Sequence, residues 1–280
     1  MHHTITIVAD DFGLTRGITD TILEVVDEGP VRMVSILANG EAVAYAVEEY
    51  KKRSEHLALA VHLNLTEGKA LSAQQDIPHL IDAHGMFIHS IAGLWLAYIF
   101  GSSAKRAALR REVRAEMEAQ CAVIRSALGA RSLAVNSHEH AHMIPFVFNE
   151  LISLEGITAV RIVRENFFLC GMPSLVNVFA RWVLMVLSHF ATLNARARGI
   201  HTNDWFVGFM YSGHMNEYIA RAGIARARAG SVELLFHPGS AKNGELLEWR
   251  HSRAGIAWHY AKERERERED LKKLHLPYEC

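Results

Sequence analysis

Charge of one sign is missing from this chain: 30 Lys and Arg stand against 31 Asp and Glu over 280 residues. Such a balance offers no field to gather nucleic acid or an anionic membrane, which argues against a nucleic-acid partner and a polyanionic substrate. Cysteine is scarce too. Cys121, Cys170 and Cys280 are odd in number and widely spaced, which suits reduced thiols better than a disulfide framework. The start of the chain lacks the basic segment and small-residue cleavage site of a signal peptide, and a strand pattern begins within a few residues. A cytoplasmic location is the expectation. Long unbroken apolar runs are also wanting. The most apolar stretch, Leu175 to Leu193, is interrupted by Asn177, Arg181 and His189, whereas a membrane span needs about 20 nearly continuous apolar residues. No transmembrane segment is expected, and a buried or peripheral helix is.

Histidine is the one excess, with 17 residues. Its placement is informative. The first apolar run, Ile5 to Ala9, ends in Asp10-Asp11-Phe12-Gly13, where a strand breaking into a loop lets neighbouring side chains converge. Two carboxylates so close repel unless a cation or a shared proton lies between them, although a solvated turn capping the next helix fits an isolated Asp-Asp equally well. A helical stretch from Gly17 to Glu28 follows, with Ile18, Ile22, Val25 and Val26 on one face. Met33 to Ala38 and Leu57 to Val61 read as the next strands, separated by a helix from Glu41 to Arg53. The third strand runs into His62-Leu63-Asn64-Leu65-Thr66-Glu67-Gly68.

Residues 71 to 101 form a long insertion, often a functional feature. Lys105 to Leu128 is amphipathic, with Leu109, Val113, Met117, Cys121 and Ile124 on one face. Ser132 to Asn136 is a fourth strand that empties into Ser137-His138-Glu139-His140-Ala141-His142. After a short helix from Pro145 to Leu154, Thr158 to Val163 reads as a fifth strand, flanked by Arg161 and Arg164. Asp204 to Val207 and Val232 to Phe236 complete the set, the last ending in His237-Pro238-Gly239. The stretch from Trp249 to Leu274 reads as helical, and its Glu263-to-Glu269 run of alternating charge reads as a solvated helix face.

About seven strands alternating with helices predict an α/β fold, an irregular TIM-like (β/α) barrel of parallel strands with helical insertions, in a single domain over 1–280. Functional groups of such folds gather at the carboxyl ends of the strands. Asp10, Asp11, His62, His138 and His237 all fall there, and their coincidence outweighs the structural role that any lone histidine usually has. One carboxylate and two imidazoles leave open positions on a divalent ion, as a catalytic site requires. The second acid is then free to act as a base beside a bound water.

The four motifs at 9–13, 62–68, 136–142 and 237–239, in that order and spacing, resemble those of the YdjC-like carbohydrate deacetylases. Ala159-Val160-Arg161 and the segments Asn203-Asp204 and Gly213-His214-Met215 are most similar to the hopanoid biosynthesis branch. The resemblance implies a barrel that removes an acetyl group from an N-acetylated sugar with one divalent ion. It implies Asp11, His62 and His138 as metal ligands, Asp10 as the base, and His237 as the acid that protonates the leaving amine. Asn64, Arg161 and Gly239 are lesser candidates for substrate or orienting contacts, and His140 and His142 are expected to orient the ligands. Asn136 stands where the family often has Asp, which predicts weaker polarisation of His138. The resemblance implies magnesium, whereas imidazole-rich coordination favours zinc or another transition ion. It is also compatible with a homodimer.

A sugar carried on a lipid would give Leu175–Leu193 and Leu94–Phe100 a role as an apolar entrance and bring peripheral membrane contact. Two other readings remain open, a metal-independent glycoside hydrolase using Asp10 with another carboxylate and a non-catalytic sugar-binding barrel.

Overall fold

The first strand, β1 (His3–Phe12), has Ile5, Ile7, Val8 and Ala9 all buried, so both of its faces are covered, as in the middle of a parallel sheet. In the computed structural model, residues 3–170, 175–247, 249 and 253–274 are described; Cys280 lies outside them. The other strands are β2 (Met33–Ile36), β3 (Ala58–Leu63), β4 (Leu133–Ser137), β5 (Ile157–Val160), β6 (His201–Thr202), β7 (Trp205–Val207) and β8 (Gly230–Phe236). They form one parallel sheet in the order β6-β5-β4-β3-β2-β1-β8-β7. The helices are α1 (Arg16–Glu28), α2 (Val43–Lys51), α3 (Ile91–Ile99), α4 (Ser103–Leu128), α5 (Pro145–Leu151), α6 (Leu175–Arg196), α7 (Glu217–Arg226), α8 (Arg253–His259) and α9 (Lys262–Lys272).

The sheet curls until its two ends meet. Phe206 N–H of β7 donates to the Arg164 carbonyl beyond β5 at 2.9 Å. The Asn203 side chain accepts from Ile162 N–H and donates to the Ile162 and Trp205 carbonyls. The fold is therefore α/β with eight parallel strands in a TIM-like arrangement, one strand more than expected. The additional strand, β6, has only two residues, too few to show any periodicity. The fifth strand ends at Val160 rather than Val163. Helix α7 has no counterpart in the sequence reading, and Asn216 caps it by accepting from Ile219 N–H.

Helix α4 is capped by Ser102 and closed by Gly129 at φ 62°. Its apolar stripe is buried, and a polar stripe holds the insertion. Glu116 accepts from the Leu71 and Ser72 amides, and Glu112 accepts from His79 N–H. Gln120 brackets Asn64, accepting from its N–H and donating to its carbonyl.

The C-terminal segment departs from expectation in two ways. It forms two helices, α8 and α9, in place of one. Its charged run is also no solvated face, because Arg264 and Glu267 are buried. Glu267 accepts the Met215 and His237 amides, Glu265 accepts from Ser240, and Arg268 pairs with Glu24 of α1. The alternation puts every second charge near the same sign, but helical geometry sorts the residues by a turn of 3.6. Arg264, Glu267 and Leu271 thereby share the inward face.

Candidate active site

The adjacent acids converge because β1 is bulged. Its pairing with β2 moves from Ala9↔Val34 to Phe12↔Ile36, so β1 carries one residue more than its neighbour over that interval. Asp11 takes up the extra residue at φ 70°, a left-handed conformation that a non-glycine residue adopts at a cost. Both acids are thereby buried at the carboxyl end of β1.

Each acid is held by its own arginine. Asp10 is gripped by Arg161, with Nη1 to Oδ2 at 2.6 Å and Nη2 to Oδ1 at 2.9 Å. Burial would raise the Asp10 carboxyl, but Arg161 and then His62 prevail and hold it well below the usual carboxylate range. Arg161 also pairs through Nε with Glu233 of β8 at 2.5 Å. Asp11 receives Arg264 Nη1 on Oδ2 at 2.8 Å, and Arg264 Nε donates to the Gly239 carbonyl at 2.6 Å. Burial again opposes ionisation of Asp11, and Arg264 with His138 overcomes it.

His62 and His138 meet edge to face, 5.6 Å between ring centres. Asp11 Oδ1 is 3.7 Å from His62 Nε2 and 3.3 Å from His138 Nδ1. Asp11 Oδ1 and His62 Nε2 are buried without hydrogen-bond partners. Orphaned acceptors that point at one another are what an ion between them would satisfy, so the Asp11, His62 and His138 trio fits a metal. The outer partners of these ligands are also present. His62 Nδ1 lies 2.6 Å from Asn136 Oδ1, which makes Nδ1 the protonated nitrogen and leaves Nε2 as the lone pair. Asn136 therefore serves His62, not His138 as expected, because β3 and β4 pair His62 with Asn136 directly across the sheet. Asn136 in turn donates to Ser35 Oγ at 2.7 Å.

The orienting acid for His138 is Glu67, 3.2 Å from Nε2. Burial works against a charged His138, but Glu67 and Asp11 raise its pKa well above the usual value. Glu67 also meets His259 Nε2 and Trp249 Nε1, each at 2.8 Å, and the trio Glu67, His138 and His259 is a second grouping with metal-ligand geometry. Asn64 folds the loop that carries Glu67, accepting from Thr66 and Glu67 N–H and donating to the Glu67 carbonyl.

The remaining histidines divide by environment. His142 is fully buried and satisfied, accepting from Ser137 Oγ at Nδ1 and donating from Nε2 to the Arg161 carbonyl. Burial pushes its ring down to about 3, and it fixes the backbone of Arg161. His140, at φ 58°, lies against Phe206 and Phe209, with Nδ1 buried and unpartnered. His237 follows β8, and burial drives it down to about 4 against the pull of Asp11 and Asp10. Its Nδ1 is buried without a partner. Gly239, at φ 87°, admits Thr21, which a Cβ would meet at 2.5 Å.

Glu67, Trp249, His259 and Arg264 are functional-site residues that the sequence reading did not nominate. Glu67 stands inside the 62–68 motif and could have been found from it. Arg264 was hidden by its repetitive neighbours.

Residues 4–275 match the YdjC-like protein family. The chain is 30% identical to a carbohydrate deacetylase of Mus musculus over 255 residues, covering 83% of this chain and 77% of that protein. It is also 30% identical over 171 residues to a chitooligosaccharide deacetylase of Escherichia fergusonii, covering 60% of this chain and 62% of that one. A solved structure from Enterococcus faecalis V583, provisionally named a cellobiose-phosphate cleavage protein, shares the fold. Its TM-score is 0.70 at 20% identity, covering 97% of this chain and 91% of that one. Geometry, motif order and similarity over nearly the full length agree, and the chain belongs to the YdjC-like family.

Proposed function

We propose that this protein is a metal-dependent N-deacetylase of an N-acetylated amino sugar. The observation that carries the reading is the pair of buried, unpartnered atoms, Asp11 Oδ1 and His62 Nε2, converging beside His138 while Asp10 stands apart on Arg161. Relatives named carbohydrate deacetylase and chitooligosaccharide deacetylase supply the substrate class.

Asp11, His62 and His138 would hold the ion, and a donor set of one carboxylate and two imidazoles favours zinc or a similar transition ion over magnesium. When bound, the ion supplies Lewis acidity against the negative charge that develops on the acetyl oxygen. The chain's own residues do the rest. Asp10, kept ionised by Arg161, accepts a proton from the attacking water as its oxygen bonds to the acetyl carbon. His237, neutral at rest, takes up the proton that Asp10 accepted and delivers it to the amine nitrogen as the C–N bond breaks, which returns Asp10 to its ionised state. The products are acetate and the free amino sugar.

A two-carboxylate glycosidase fits less well. That mechanism needs one protonated carboxyl facing the substrate. Asp10, Asp11 and Glu67 are held charged by their partners, and Glu233 and Glu267, carboxyls that burial raises, are engaged by Arg161 and by the Met215 and His237 amides. Acetate released from N-acetylated sugars and abolished by chelator supports deacetylation; reducing sugar released without metal would overturn it. The finer substrate is a lipid-linked sugar, such as a hopanoid glycolipid, supported by the motif similarity at 159–161 and the exposed apolar face of α6. Buried free thiols at Cys121 and Cys170 support a cytoplasmic setting.

A further inference from the structure

Helix α6 is inverted. Its inward residues are Arg181, Ser188, Ala191, Thr192 and Ala195, while Leu175, Val176, Phe179, Trp182, Val186, Phe190 and Leu193 are exposed. Phe179 is 73% exposed and Trp182 is 59% exposed. A helix on a water-facing surface shows the reverse arrangement. The polar inner face has a structural reason, because it ties the helix to the barrel. Ser188 Oγ donates to the Val163 carbonyl at 2.9 Å, Arg181 Nε to the Glu165 carbonyl at 3.0 Å, and Arg164 reaches Thr192 Oγ1 at 3.1 Å. The apolar outer face has no such partner among the described residues. Its length would suffice for a membrane span, but these bonds lay it along the body instead.

The surroundings of the stripe are basic. Helices α3 to α6 lie side by side, with Tyr98 of α3 stacked on Phe146 of α5 at 4.0 Å and Arg110 of α4 on Glu150 of α5 at 2.5 Å. A cleft of about 630 Å³ is lined by Arg110 and Arg114 of α4, Glu150 of α5, and Asn194 and Arg198 at the end of α6. The first half of α4 adds exposed Lys105, Arg106 and Arg111, and α3 ends in exposed Leu96, Ile99 and Phe100. The near-neutral balance of the whole chain is compatible with this local cluster of cations. Helix α6 itself carries no acid.

We propose that the α6 face is an interfacial docking surface for an anionic lipid bilayer, its apolar stripe entering the headgroup boundary while the α4 cluster rests on lipid phosphates. An apolar stripe beside a basic fringe is the composition such helices use. Charge decides against a second copy as occupant. Two α6 faces meeting symmetrically would bring their basic fringes together with no acid on either helix to offset them.

The test is flotation of the full-length protein with phosphatidylcholine vesicles, with and without phosphatidylglycerol. The wild type should partition about tenfold more strongly onto the anionic vesicles, and added salt should weaken it. Phe179→Gln with Trp182→Gln and Val186→Gln should lose about tenfold on those vesicles. Lys105→Glu with Arg106→Glu and Arg111→Glu should lose the preference for phosphatidylglycerol. All six side chains are exposed or partly so, and none belongs to the active site. Absent or lipid-independent flotation would overturn the proposal. So would an apolar variant that floats unchanged while converting a dimer to a monomer. Flotation does not read turnover, so its failure leaves the deacetylase reading standing.

Discussion

Arg264 Nη1 donates to Asp11 Oδ2 at 2.8 Å, joining α9 to the bulge of β1 across 253 positions of sequence. The contact occupies one oxygen of Asp11 and leaves Oδ1 aimed at His62 and His138. The last helix therefore shapes the ligand geometry of the first strand.

Replacing that arginine should be felt at the metal. In Arg264→Gln the Asp11 carboxylate is free to rotate and loses its counter-charge, and affinity for a divalent ion should fall about 10- to 100-fold. Arg264→Lys should retain part of it. Calorimetric titration with zinc measures both, and unchanged affinity in the glutamine variant would remove Arg264 from the site.

Glu67 sits between two imidazoles, so Glu67→Gln leaves His138 and His259 without their shared anion. Breaking such a buried network should cost about 3 kcal/mol. Urea denaturation of the metal-free variant checks it, and a loss below about 1 kcal/mol would show that the carboxylate does little for the fold.

Asp10→Asn removes a proton acceptor, not one of the proposed ligands. Ion binding should stay within a few-fold of wild type while turnover falls by about 10²- to 10⁴-fold. If ion binding collapses instead, Asp10 belongs to the coordination shell.

Two buried neutral histidines should make the metal-free fold sensitive to mild acid. His142 and His237 are pushed down to about 3 and about 4 by burial, from an ordinary 6.5. A lowered histidine pKa means that the unfolded chain takes up protons the fold refuses. The stability that these two rings contribute is therefore full above about pH 6.5 and declines as pH falls toward 4. Between pH 7 and 5 these two rings should together lose about 2 to 4 kcal/mol, opposed by His138 and by Glu165 and Glu267, whose carboxyls burial raises to about 7. Denaturation in chelator at the two pH values, compared between the wild type and His142→Gln, isolates the share of that ring, and a variant with the pH dependence of the wild type would contradict its buried neutral state.

The parallel strands and the acids and histidines at their ends were legible because each is local: an apolar run, then a polar break. The contribution of α9 was not, because its alternating Glu and Arg differ only in which of them the helix turns inward, and that depends on what it packs against. Asn136 shows the same limit. Its place in the motif was readable, but its service to His62 rests on the β3–β4 register. Helix α6 misleads in the other direction, since Arg181, with Ser188 and Thr192, forms the buried face while His189 and most of the large apolar side chains face outward.

The most direct measurement is acetate release from N-acetylated sugars, free and lipid-linked, by zinc-loaded protein with and without chelator. The account predicts release that chelator abolishes and added metal restores. Release that persists in chelator, or none from any of these sugars by protein with its ion bound, would contradict it.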